Sequence, residues 1–425
     1  MGGRAAMIVV VSLSFILGYI GINMNKYATD AVGNMASYYD ASASHNLALA
    51  GANVGLAKFY QDTTWYGSTT QTDDEATLKG SFSVTIASLG ADNARLQSVS
   101  TYRTWYGENL HDTVEVYFNK RRLNSFSMYA WMTDFEGNSF WTTGDTVWGR
   151  IHSNGNLHFD GTPVFMEKVT TSKNFDPKPG VGTNHAVYKK GYETGVASVT
   201  FPSDLSDLIA ASTSGGKQYA GDIWVTLNGG TAASGDGYAV VRATASGPAI
   251  DTVWFSNPSF NGVILGTGRV NVEGTVDGRV TIASQTDVYI QNDIVYEQDP
   301  LAGSSDDLLG LVADQNVMIA DNAANNSNCV VDAAIFARSQ SFAAENLTGR
   351  PYSGNLQVLG SIVQKNRGEV AKYSGSTLSK GFYKRYRFDD RLQDPSFRPP
   401  YFPGFYVKTL AITNWWESYR ISAVQ

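Results

Sequence analysis

From Ala5 to Met24 the chain carries no charged residue, and no proline interrupts it before Pro163. Some twenty apolar residues at a rise of about 1.5 Å match a hydrocarbon core ~30 Å thick. The large ones are Met7, Ile8, Val9, Val10, Val11, Leu13, Phe15, Ile16, Leu17, Tyr19, Ile20 and Ile22. Ser12, Ser14 and Gly18 are tolerable among them, because small residues let helices approach closely in lipid. A removed secretion signal is the alternative. It would have a shorter apolar core followed by a small-x-small cleavage site, whereas Asn23-Met-Asn-Lys26 comes next. A retained anchor fits better.

Beyond the span, Ala28, Val32, Met35, Tyr39, Ala43, Leu47, Ala50 and Val54 recur at steps of three and four. That spacing marks one face of a helix, with Asp30, Asn34, Asp40, Ser44 and Asn46 on a mostly polar opposite side. One helix from Ala5 to about Tyr60 would cross the membrane and continue for roughly 50 Å outside it. The alternative is a break near Gly33 and an ordinary amphipathic core helix. Arg4 precedes the span and Lys26 follows it, so export of the long C-terminal part is the simpler topology.

The remaining chain reads as β. Of 425 residues, 42 are glycine and 12% aromatic, while 17% are charged against a usual ~25%. That balance argues against a coiled coil and favours a turn-rich β protein, and 43% hydrophobic content is too high for disorder along the whole length. A net charge of −7 disfavours nucleic acid as a partner. The single cysteine, Cys329, excludes an internal disulfide and a cysteine-based zinc site. After a polar join at 62–74, Phe82, Val84 and Ile86, then Val114, Val116 and Phe118, alternate with polar residues. These predict a small antiparallel sheet with one buried face.

From about Phe126, short strands are punctuated by glycine and asparagine. Every even position from Gly268 to Ile282 is glycine, valine or isoleucine, and the odd ones are polar or charged. Val288 and Ile290 continue the pattern after a corner at 285–287, and similar pieces are 151–159, 263–265, 317–319, 333–337 and 356–363. A parallel β-helix and a sandwich both fit. Asp277-Gly278 lies inside the alternating run without breaking its phase, which favours the β-helix over hairpins. Residues 176–259 read as an insertion. The ring- and arginine-rich 380–425 reads as a cap over exposed strand edges, with carbohydrate binding through its rings as the competing reading.

The N-terminal layout, with the small-residue run from Ser44 to Ala57, resembles type IV pilin-like proteins, particularly the PilX-type minor pilin N-terminus. The body resembles an uncharacterised bacterial family of anchored proteins with a β-rich domain. The matching pieces are 144–155, 274–282, 305–312, 360–368 and 399–403. The residue patterns, with this resemblance beside them, predict a mainly β chain with one long N-terminal α-helix. Residues 1–60 would form that helix and 61–125 a pilin-like sheet. A parallel β-helix or solenoid would follow over 126–379, and the aromatic cap over 380–425. The resemblance implies leader cleavage at Gly3, with Arg4 opening the mature chain. Pilins usually carry a glutamate a few residues into the helix, and here nothing acidic occurs before Asp30. A minor subunit, or an anchored protein that never polymerises, follows from that departure.

No residue pattern demands chemistry. His152 and His158 with Asp160 are the nearest approach to a metal cluster, but an extended strand would hold the two rings about 20 Å apart. Asp306-Asp307, Asp389-Asp390 and Asp394 resemble the paired acids of a polysaccharide-cleaving enzyme, yet consecutive strand residues face opposite ways. Ser304 to Asp307 reads instead as the cap of a short helix through Leu311. Gly266-Thr-Gly268 lacks the helix a phosphate loop requires. The basic pieces 120–122 and 384–387 read as solvated faces, and Asn325 and Asn346 fit the glycosylation pattern. The expectation is a non-enzymatic, pilin-like structural subunit without cofactor or metal. It would sit in the inner membrane and assemble with its own copies or with other pilin-like subunits at the cell surface. A surface adhesin binding glycan, with Trp415 and Trp416 as candidates, is the alternative, and a β-helix polysaccharide-degrading enzyme is the less favoured third.

Overall fold

The computed structural model describes residues 2–62, 65–66, 68–72, 80–230, 237–374 and 377–418. Parts of the expected join at 62–74, of the insertion at 176–259 and of the end of the cap (419–425) lie outside them. The chain is β-rich with one long N-terminal helix, α1 (Gly2–Gln61). It divides into two compact units, Met1–Arg122 with Tyr406–Gln425, and Leu123–Phe405.

In unit 1 the strands Ser68–Thr72, Gly80–Ser88, Asn93–Arg103, Thr113–Ser125 and Gly404–Ser418 follow one another across a sheet. The first four pair antiparallel. As the alternation predicts, Phe82, Val84, Ile86, Val114, Val116 and Phe118 are buried, and they meet Leu47, Ala48, Ala52, Leu56 and Phe59 of α1. The helix face differs from the expected one. Of the eight residues assigned to it, only Leu47 is fully buried, whereas Asp40 and Ser44, placed on the polar side, lie inside. Small residues explain the rotation. At Gly55 an added Cβ would stand 2.5 Å from Val84 Cγ1 and 2.6 Å from Leu96 Cδ1. The backbone itself approaches the sheet there, and a count of hydrophobic residues passes over glycine and serine.

Unit 2 is built largely of parallel ladders. Ile264 pairs with Ile282, Ile282 with Leu311, Leu311 with Ile335 and Ile335 with Ile362. The series runs on from Ile362 to Trp131, then to Ile151 and Val169. A second series links Ile223, Val270, Val288, Val317 and Phe342. All these side chains are buried, so each level rests on like residues above and below. Spatial order is therefore rotated against chain order, since the levels at 131–194 follow the level at 352–366. Antiparallel pairings within Ile223–Trp254 and between Ala371–Ser374 and Thr377–Phe388 make the sheets mixed.

Several local expectations change. Residues 304–307 cap no helix, because Leu308–Ala313 is a strand whose six residues are all buried. The piece at 151–159 is two strands, Ile151–Ser153 and Leu157–Asp160. Asp277-Gly278 does form a corner, with Gly278 at φ +103°, a conformation that costs glycine little. The ring-rich 380–425 is divided. Thr377–Phe388 pairs parallel with Tyr352–Asn366, and 406–418 belongs to unit 1. Between them Pro399 and Phe402 lie along the ladders against Gly310, where a Cβ would come within 3.0 Å of both.

Candidate functional site

The feature that calls for a partner is the outer half of α1. Met7, Phe15, Tyr19 and Ile22 are each more than 70% exposed, and every other large apolar residue of the expected span is exposed as well. No residue of the most hydrophobic window of the helix is buried. Twelve large apolar side chains in water would each forgo about 1.5–3 kcal/mol of burial, so this surface is made for lipid or for other helices. Three of the polar groups on it are answered by the helix itself. Ser14 Oγ donates to the Val10 carbonyl (2.9 Å), Asn23 Nδ2 to that of Tyr19 (3.0 Å) and Thr29 Oγ1 to that of Asn25 (2.9 Å). Side chains satisfied by their own helix bring no unmet donor into an apolar phase. Gly3 and Arg4 lie in the exposed first turn of the helix.

The inner half is held by polar contacts as well as by packing. Ser44 Oγ and Ser100 Oγ share a hydrogen bond of 2.9 Å, and Asp112 N donates to Ser100 Oγ at 3.1 Å. His45 stands between two carboxylates, Nδ1 at 2.8 Å from Asp112 Oδ2 and Nε2 at 3.1 Å from Glu417 Oε2. Ser418 Oγ donates to Asp112 Oδ1 (3.1 Å), so the last strand is fastened to the helix through the same group. Burial, followed by the nearby Asp40 carboxylate, holds the Tyr102 phenol above its usual range. Sequence reasoning missed this network. Its one advance signal is the small-residue spacing at 44, 48, 51, 52 and 55.

The residues weighed for chemistry are dispersed. His152 is buried, with Nδ1 against Thr170 Oγ1 (2.9 Å) and Nε2 against Asn154 Oδ1 (3.0 Å), and burial lowers its affinity for a proton. His158 belongs to a different sheet and faces Asp176 at 3.3 Å. Among the described residues no three His, Cys, Asp or Glu side chains gather as metal ligands would. Asp307 is buried with both oxygens accepting backbone N–H groups, from Gly278 (2.8 Å) and Gln298 (2.9 Å). Asp389 is buried against Arg391, while Asp306, Asp390 and Asp394 are exposed. Gly266-Thr-Gly268 leads into the strand Val270–Val276. Arg121 pairs with Asp92 and lies over the Tyr406 ring. Trp415 packs on the core of unit 1, and Trp416 is half exposed.

No family model and no curated protein matches the chain. Among solved structures, the competence-associated pilin ComZ from Thermus thermophilus aligns over 89% of this chain and 97% of its own, at 11% identity and a TM-score of 0.39. A likeness at that level carries no inference about activity.

Proposed function

We propose that this protein is a pilin-like structural subunit of an extracellular filament, or of pilus or pseudopilus assembly. The observation that carries the reading is α1 itself. It is one 60-residue helix whose inner half is docked on an antiparallel sheet and whose outer half carries, from Ala5 to Met24, an uncharged apolar stretch with none of its large side chains buried. At about 1.5 Å per residue it is ~90 Å long, more than twice what a bilayer needs. Met7 to Ile22 lodge in the inner membrane before assembly and then pack among like helices. Cleavage after Gly3 opens the mature chain at Arg4. The parallel ladders of unit 2 are read as coils of a β-helix, a scaffold suited to display at the cell surface.

Mass spectrometry of the native N-terminus, combined with a sheared-filament preparation, tests this reading. A chain beginning at Arg4 in the sheared fraction supports a filament subunit. An uncleaved chain confined to the membrane fraction replaces it with a solitary anchored protein. A dissolved protein lacking the first two dozen residues overturns both.

A further inference from the structure

Unit 2 contains a cavity of about 250 Å³ lined by residues from 131–142, 367–373 and 384–386. Ligand pockets for drug-sized molecules start at about 300 Å³, so this one has room for a single small unit. Its lining combines rings with an under-used cation. Trp131 and Tyr386 are buried and stacked at 17° with centroids 6.0 Å apart. Phe140 and Tyr373 line it too, and each is nearly half exposed.

The cation is Lys384. Burial lowers its affinity for a proton, and among the described residues its one hydrogen bond runs from Nζ to Asp145 Oδ2 at 3.2 Å. An ammonium has three protons to give. The Trp141 ring, 5.6 Å from Nζ, takes part of that charge, and the donor capacity left over beside the cavity has no acceptor among the described residues, which is unfavourable. Arg367, by contrast, is held on several sides. It donates to Glu136 Oε2 (2.6 Å) and to the Phe140 carbonyl (3.1 Å), and its plane lies over the Trp141 ring at 4.4 Å.

These contacts also decide the charge of the occupant. Asp145 answers Lys384 and Glu136 answers Arg367, while Glu369, exposed at the rim, adds a negative charge. No positive charge is left over for an anion. The occupant that fits is uncharged, offers hydroxyl oxygens to a buried donor and offers an apolar face to rings. An apolar molecule would satisfy the rings but offer no acceptor to the ammonium's remaining donor capacity. A pyranose does both, since its polarised C–H face suits the negative face of an aromatic ring.

We infer that the cavity lined by Lys384, Tyr373, Phe140 and Tyr386 binds one neutral pyranose unit, with Lys384 Nζ donating to a ring hydroxyl. This places carbohydrate binding, the competing reading for the C-terminal rings, in unit 2 rather than at Trp415 and Trp416, and it does not depend on whether α1 polymerises.

The test is to titrate the intact protein, held in a detergent without a sugar headgroup. The probes are methyl α-glucopyranoside, methyl α-mannopyranoside, methyl β-galactopyranoside and N-acetylglucosamine. Tryptophan emission reads binding beside Trp131, and saturation-transfer NMR reads it on the ligand. The expected result is saturable binding of at least one probe. Lys384→Met should weaken it tenfold or more and Tyr373→Ala several-fold. Because Lys384→Met leaves Asp145 without its ammonium, the half-exposed Tyr373→Ala, with an unchanged melting profile, decides if the first variant does not fold. Binding unaffected in Tyr373→Ala, no saturable binding of any probe, or a preference for glucuronate over all four would each overturn the assignment.

Discussion

The two units bury their strands by different rules. In Asn93–Arg103 of unit 1, burial alternates residue by residue, whereas in Leu308–Ala313 of unit 2 every residue is buried. A one-sided antiparallel sheet needs one cover, and unit 1 supplies it with the inner half of α1. Parallel strands need cover on both faces. In unit 2 the ladder through Ile335 fills one face. Phe336, its neighbour on the strand, meets Phe126, Phe201 and Phe402 on the other, with centroids 5.2, 5.8 and 6.1 Å away. Unit 2 thus covers both faces of these strands from within itself. Unit 1 leaves the outer half of its helix bare, and that leftover surface is why assembly is sought there.

The hardest blow to this contrast is struck at the contact between helix and sheet. Gly55→Leu pushes a side chain into Val84 and Leu96, whose methyl groups already stand 2.5 and 2.6 Å from a Cβ built there. Overpacking of that kind costs about 1–3 kcal/mol, and the gain in helix propensity returns less than 1. Amide exchange should accelerate about tenfold or more across Gly80–Ser88 and Asn93–Arg103 and stay unchanged in Leu308–Ala313. Equal acceleration in both would mean that the two units do not open independently.

A second measurement probes unit 2 alone. Burial raises the Asp332 carboxyl to about 6, while one oxygen accepts the Tyr296 N–H at 3.0 Å. The unfolded chain has the ordinary value of 3.8, so between these values the folded state holds the extra proton. Its contribution to stability is then fully present below pH ~4 and is lost as pH rises through about 6. Asp332→Asn keeps an acceptor and removes the charge. The variant should gain on the order of 2 kcal/mol over wild type at pH 7.5 and almost nothing at pH 4. Denaturant unfolding of unit 2 at the two pH values gives the difference directly, and a gain independent of pH would refute the buried-charge account.

What could be foreseen from the residues follows from the same physics. The helix was legible because twenty uncharged apolar residues and an absence of proline leave few other conformations. Phe82, Val84 and Ile86 were legible because a half-covered strand shows its period of two in hydrophobicity. The docked face of α1 was not, because close approach selects Ser44, Gly51 and Gly55, which score as polar or neutral. The rotated order of unit 2 was hidden as well. Periodicity reports which way a side chain points, but the pairing of Ile362 with Trp131 joins strands some 230 residues apart. The cavity escaped because its lysine reads as one charge in a short basic run. Its burial comes from the neighbouring Tyr352–Asn366 level and the rings around it.

The smallest expected effect lies on the outer half of the helix. At Gly33 an added Cβ meets nothing within 4 Å, and the glycine has no positive φ to require it. Within this chain, Gly33→Ala therefore has only the helix propensity to change, a gain of about 0.8–1 kcal/mol. Amide exchange at the flanking helical residues should slow by roughly fivefold, with both sets of strands untouched. The same variant sharpens the contrast between a bare rod and an assembled one. A neighbouring helix seated against Gly33 would meet the new methyl group. A protein that is more helical in detergent yet recovered in smaller amount from sheared filaments would locate a helix contact at that residue. Undiminished recovery would place the contacts nearer the span, where Gly18 and Gly21 are equally open to approach.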